Sequence, residues 1–321
     1  MTPHRCLLTF LLLYSLYLGG CSAIAVAVAP NRTAAAASTD TEVGTRLFQD
    51  ALRQGDYEGL PDVIEELTRL AIANPLDGQI HTSLGMAHLW RVSERVRDPD
   101  PSPRLTEHVV LSRHYLRSAE DLLPDDARVH AWSAGAQLAT ASLLSDARAQ
   151  RAGYFAMQRG IRRYPEFNLF SASFVFSRLP FDHPRYESQV VDNMFEAVRR
   201  CYGRADTWEE RRETIAVAMA EQELPTDESR VCYPSPYAPH NIEGFFMHFG
   251  DALSKAGRLD DAVQAWQLAN LAPGYSTWPY REQLEARIND PEAHYNVARA
   301  GSAGEGMMIT SAYSCSGCHQ E

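Results

Sequence analysis

Residues 246–269 read FMHFGDALSKAGRLDDAVQAWQLA. Apolar side chains recur there every three or four positions on both sides of Gly257, which is the spacing of two helices that each bury one face. Gly257 permits the turn between them. Gly250, Ala262 and Ala269 are small enough for two antiparallel helices to approach closely, and Trp266 fills the gap to a following pair. From Val43 onward the same helical spacing returns in segment after segment, with no run of alternating β-branched residues that would mark a strand. The chain is expected to be all-α.

The unit resembles a tetratricopeptide repeat, since Gly250, Gly257, Ala262, Trp266 and Ala269 fall at that family's packing positions, although Pro273 arrives one residue early. A second, degenerate copy pairs Leu84 and Gly85 with Ala119 and Pro124. The 19 residues between Gly250 and Ala269 become 34 between Gly85 and Ala119, so about 15 have been inserted. The insert holds Asp98-Pro99-Asp100-Pro101-Ser102-Pro103, which reads as a surface loop. The resemblance spans residues 43–290 loosely and 246–273 well. It implies a helical-repeat solenoid with a concave groove that holds segments of other proteins. His81 and His88, seven apart on one helix face, have no third or fourth ligand at metal-site spacing. Phe167, Phe170 and Phe174 form a helical stripe that reads as core.

The whole chain has 321 residues, 45% hydrophobic, enough to bury a sizeable core. Forty-one acidic residues face 30 basic ones, a net charge of -11, and Lys255 is the single lysine. Such a balance repels phosphate backbones and excludes a nucleic-acid binder, while a protein partner steered by charge would be basic. There is no GxxxxGK phosphate loop, HExxH or GxSxG, and no acid, base or nucleophile constellation marks an enzyme.

At the start, Arg5 precedes a short apolar run from Leu7 to Leu18, the pattern of a secretory signal peptide. The run ends in Leu18-Gly19-Gly20-Cys21, which resembles a bacterial lipobox. The resemblance implies cleavage after residue 20, a lipid anchor on Cys21 and, with Ser22 following, sorting to the outer membrane. The alternative is an uncleaved anchor from Leu7 to about Ala29 with the body in the periplasm. Residues 21–42 then read as a flexible lipidated linker, 43–300 as the helical-repeat domain and 301–321 as a Gly-rich segment with an attachment tail. In an oxidising periplasm Cys201 and Cys232 are expected to be bridged, closing an irregular segment from Tyr202 to Val231.

The chain finishes SAYSCSGCHQE. Cys315-Ser316-Gly317-Cys318-His319 is a CxxCH: two thiols at this spacing add across the two vinyl groups of a porphyrin, and the next His reaches the iron. CSGCH also resembles the attachment segment of cytochromes c, which implies one covalent haem c on Cys315 and Cys318 with His319 as proximal ligand. Only two residues follow here, so the usual fold of class I cytochromes c, which comes after its motif, is not expected. The haem is expected against the upstream helices or on the Gly-rich segment 301–306. A distal ligand would come from upstream: Met307 or Met308, or else His294, His248, His240 or Met247. A thioredoxin-type thiol pair and a zinc site with His319 are the alternatives for the same residues.

Together these readings point to a periplasm-facing lipoprotein that passes single electrons to or from a redox partner. The alternative is a repeat-type adaptor of the cell envelope in which Cys315 and Cys318 carry no haem.

Overall fold

The computed structural model describes residues 33–97, 104–221, 224–300 and 313–321. Cys21 and its expected anchor, the Pro-rich insert, and Met307 and Met308 lie outside the described residues. Among the described residues the chain is helical and has no strand, only one isolated bridge between Ser235 and Ala238. No helix among them is long and apolar enough to cross a membrane.

Fourteen α-helices follow in order among the described residues: α1 Thr39–Gln54, α2 Leu60–Ala73, α3 Gly78–Ser93, α4 Arg104–Leu122, α5 Ala127–Leu143, α6 Ala147–Arg163, α7 Pro165–Phe176, α8 Asp192–Tyr202, α9 Trp208–Ala220, α10 Asn241–Lys255, α11 Leu259–Leu268, α12 Arg281–Asn289, α13 Pro291–Ala300 and α14 Ser316–His319. Neighbours in sequence pack on one another, most extensively α3 on α4, α5 on α6 and α10 on α11. Asp77, Asp126 and Asp146 each cap the helix they precede by accepting backbone N–H groups.

Two boundaries differ from expectation. The linker ends earlier, at Thr39, because Ser38 and Thr41 form a reciprocal capping box that starts α1. The segment expected to be irregular between Tyr202 and Val231 holds the 13-residue α9, started by a second capping box between Thr207 and Glu210. Cys201 and Cys232 close that segment as a disulfide with Cα atoms 5.4 Å apart, and Tyr202 donates its hydroxyl to the Cys232 carbonyl.

Close approach governs the packing. A Cβ on Gly250 would lie 2.2 Å from Trp266 Cδ1, and one on Gly85 would lie 2.7 Å from Leu116 Cγ. Gly257 takes φ 84° at the α10–α11 turn. Trp266 is fully buried, and its indole N–H reaches the Met247 carbonyl and Asp251. Asp251 also pairs with Arg287 at 2.9 Å and His294 at 3.2 Å, tying α10 to α12 and α13. Burial would raise the Asp251 carboxyl, but Arg287 and His294 overcome it and hold the group well below the usual carboxylate range. The Phe167, Phe170 and Phe174 stripe packs on Trp132, Phe245 and His248. His88 lies buried with Nδ1 2.8 Å from His108 Nδ1, and no group of three or more potential ligands assembles around a metal site among the described residues.

Two consequences are measurable. Gly250→Ala should lower stability by about 1–3 kcal/mol despite the better helix propensity of alanine, because the new methyl overlaps the Trp266 ring; urea denaturation would read it. Burial, helped by His108, lowers His88 to about 3, and burial lowers His248 to about 4. Both folded values lie below the unfolded value near 6.5. Their contribution is complete above about pH 6.5 and is lost as pH falls toward the folded values. Stability should fall by up to about 1.4 kcal/mol per pH unit for each histidine, and His88→Leu should flatten that slope in denaturation curves between pH 6.5 and 4.

Candidate functional site at the C-terminal CxxCH

The C-terminal residues from Tyr313 to Glu321 fold as one turn seated on the helical body. Gly317 N–H donates to Tyr313, the N–H groups of Cys318 and His319 both donate to Cys315, and Gln320 N–H donates to Ser316. A helix of four residues cannot satisfy its own ends and has no stability in isolation, so its partners must come from the body.

They come from four places. Glu94, immediately after α3, is fully buried, and its Oε1 accepts Cys315 N–H, Ser316 N–H and the Ser316 hydroxyl, each at 2.8 Å. Its Oε2 accepts Arg97 Nη1 at 3.1 Å, and Arg97 itself stacks over the Tyr57 ring. From the segment before α12, Trp278 donates its indole N–H to the Gly317 carbonyl at 2.9 Å. At the head of α10, His240 N–H donates to the Cys318 carbonyl at 3.1 Å. From α1, the Arg53 carbonyl accepts Glu321 N–H at 2.9 Å. The adjoining Arg53–Glu321 ion pair is exposed and adds little.

Positions 315, 318 and 319 share one side of a helical turn, and Gly317 faces the other way. On the Gly317 side lie Met247 and His248: a Cβ there would be 3.2 Å from Met247 Cε, and His248 Nε2 lies 3.3 Å from the Ser314 carbonyl. His240 is engaged by Glu243 at 3.0 Å and His294 by Asp251. Of the upstream residues expected as distal ligands, His240, His248 and His294 have polar partners in the body, Met247 is buried beside Gly317, and Met307 and Met308 lie outside the described residues. Tyr313 packs on Tyr280 with ring centroids 4.3 Å apart.

The three motif residues have distinct environments. Cys315 and Cys318 are both free thiols. Cys318 is buried, 6% exposed, with its sulfur against α10: a Cβ on Gly244 would sit 2.3 Å from it. Cys315 is half-buried, with Sγ 3.3 Å from the Ser93 hydroxyl. Burial, reinforced by Glu243, pushes the Cys318 thiol up to about 12, and burial beside Glu94 pushes Cys315 up as well. Both are protonated at neutral pH, the opposite of the depressed values that drive thiol–disulfide exchange. His319 Nδ1 donates to the Tyr237 carbonyl, and burial lowers its imidazole. A neutral ring whose Nδ1 proton is held by a backbone carbonyl offers its Nε2 lone pair, the arrangement that orients a metal-bound histidine.

The donor set therefore suits a c-type haem: two unpaired thiols and an oriented imidazole on one side of a turn. The seating of Cys318 against Gly244 does not, because it closes the space beside that sulfur. Sequence reasoning missed Glu94, Gly244, Tyr237 and Trp278. The available signal was an acidic residue at a helix C-terminus, where the helix dipole disfavours it unless it serves another purpose. Away from the tail, clefts of about 260 and 450 Å³ flank Arg211, whose guanidinium lies over Phe195 and Trp208.

Gly244→Ala is expected to lift Cys318 from α10 and release the turn. Limited proteolysis should then clip the C-terminus much faster than in the parent, with the rest of the chain still folded. No family model, curated protein or solved structure matches the chain.

Proposed function

We propose that this chain is a lipid-anchored, periplasm-facing carrier of one covalent c-type haem, and that it passes single electrons to or from a partner with a basic surface. Cys315 and Cys318 would hold the haem through thioether bonds, and His319 Nε2 would ligate its iron. When bound, the haem would supply a one-electron iron couple. The observation that carries the reading is the CxxCH turn, with the His319 Nδ1 proton on the Tyr237 carbonyl. Anchoring through Cys21 and outer-membrane placement belong to the same proposal and rest on the N-terminal sequence. The body is read as a degenerate tetratricopeptide-like solenoid, supported by the close contacts at Gly85 and Gly250 and the turn at Gly257.

A second reading keeps the same body as an adaptor without haem, in which the C-terminal turn is a structural clasp. What favours it is the burial of Cys318 against Gly244.

Export in cells with a c-type maturation system separates the two. A haem-stained band that survives denaturation and vanishes in the double variant Cys315→Ser/Cys318→Ser is the expected result. His319→Ala should keep the covalent stain and shift the absorption bands that report histidine ligation of the iron. An unstained, folded protein whose pulled-down partners survive the Cys variants would establish the adaptor instead.

A further inference from the structure

Every chemistry that Cys315 and Cys318 offer starts at sulfur. Thioether formation adds S–H across a vinyl C=C, sulfur to one carbon and hydrogen to the other, with no change of overall oxidation state; alkylation likewise needs a carbon atom to reach Sγ. The seated turn leaves no approach to Cys318, which is 6% exposed and lies on Gly244, where even a methyl group would overlap the sulfur. The turn must leave its seat before that sulfur can react.

One residue dominates the seat. Glu94 Oε1 takes three donors at 2.8 Å in a fully buried position, and all three belong to Cys315 and Ser316. Hydrogen bonds to a charged acceptor are about twice as strong as neutral ones, and losing the acceptor strands three buried donors at once. The other anchors are single bonds, from Trp278 to Gly317, from His240 to Cys318, from His319 to the Tyr237 carbonyl, from His248 to the Ser314 carbonyl, from Tyr280 to Gln320 and from Glu321 N–H to the Arg53 carbonyl, together with the exposed Arg53–Glu321 pair. Arg97 keeps the Glu94 carboxylate in place from its other oxygen.

We propose that Glu94 is a latch controlling covalent chemistry at Cys318: while its carboxylate holds the turn, the C-terminus is a closed strap that shields the Cys318 thiol, and bond formation at that sulfur proceeds from the released turn. Where the adduct is haem, this deepens the haem reading, since attachment precedes seating. The latch itself stands on the haem-free chain.

The test uses the full mature chain made without haem-attachment machinery, its Cys201–Cys232 disulfide intact. N-ethylmaleimide is the probe, and mass spectrometry of the C-terminal peptide follows adducts on Cys315 and Cys318. At Cys318 the native chain should react at least about a hundredfold more slowly than the urea-unfolded one. Glu94→Ala should recover most of that difference, and Glu94→Gln, which keeps an acceptor without the charge, should fall between them. Arg97→Gln, which leaves the carboxylate but loosens it, should raise the rate about tenfold and serves if Glu94→Ala does not fold. Native Cys318 reacting at the unfolded rate would overturn the proposal, as would unchanged Cys318 protection in a folded Glu94→Ala. Because haem plays no part in the assay, a protected Cys318 in a chain that never stains would sink the haem reading and leave the latch standing.

Discussion

A buried carboxylate holding three hydrogen-bond donors is the contact on which the C-terminal site depends. The four-residue α14 has too few internal hydrogen bonds to persist, and Glu94 supplies what it lacks at its N-terminal end. Burying an ionised glutamate costs several kcal/mol unless its oxygens are filled, and here Oε1 is filled by the tail and Oε2 by Arg97. The dependence runs both ways: the tail needs the carboxylate, and the carboxylate needs the tail. Removing either partner leaves buried polar groups stranded, which is why this contact is both strong and able to act as a switch.

The frame that carries Glu94 is set by small residues. Gly85 lets α3 lie against α4, and Gly250 lets α10 lie against α11 with Trp266 between them. Those two helix pairs contribute the two sides of the seat, since Glu94 follows α3 while Gly244 and His240 belong to the head of α10. Asp251 ties α10 to α12 and α13 through Arg287 and His294, next to the segment that brings in Trp278. The placement of the turn that carries His319 thus traces back to helix spacing at Gly250 and Gly85, far away in sequence, through ordinary packing and a few hydrogen bonds.

Much of this was open to reading from the residues. Periodicity on either side of Gly257 implied helices, and helices are what form, because the 3.6-residue repeat of apolar side chains has one way to bury its face. The capping boxes at Ser38 and Thr207 were equally local, yet α9 was hidden: the segment between the bridged cysteines has only one fully shielded apolar residue on that helix, Ile215, so its pattern was weak. Glu94 was missed for a different reason. Its partners lie 221 and 222 residues away, and its one local signal, an acidic residue at a helix C-terminus, names no partner.

The sequence by itself determined the helical class, the pairing implied by Gly250, Gly257 and Trp266, and the chemical identity of the CxxCH, because each of these depends on spacing within about twenty residues. Only the tertiary structure decided that the motif is seated rather than free, that Cys318 is shielded on Gly244, and that His319 is held by the Tyr237 carbonyl. Those features join elements far apart along the chain, and burial, desolvation and hydrogen-bond geometry exist only once the elements have met.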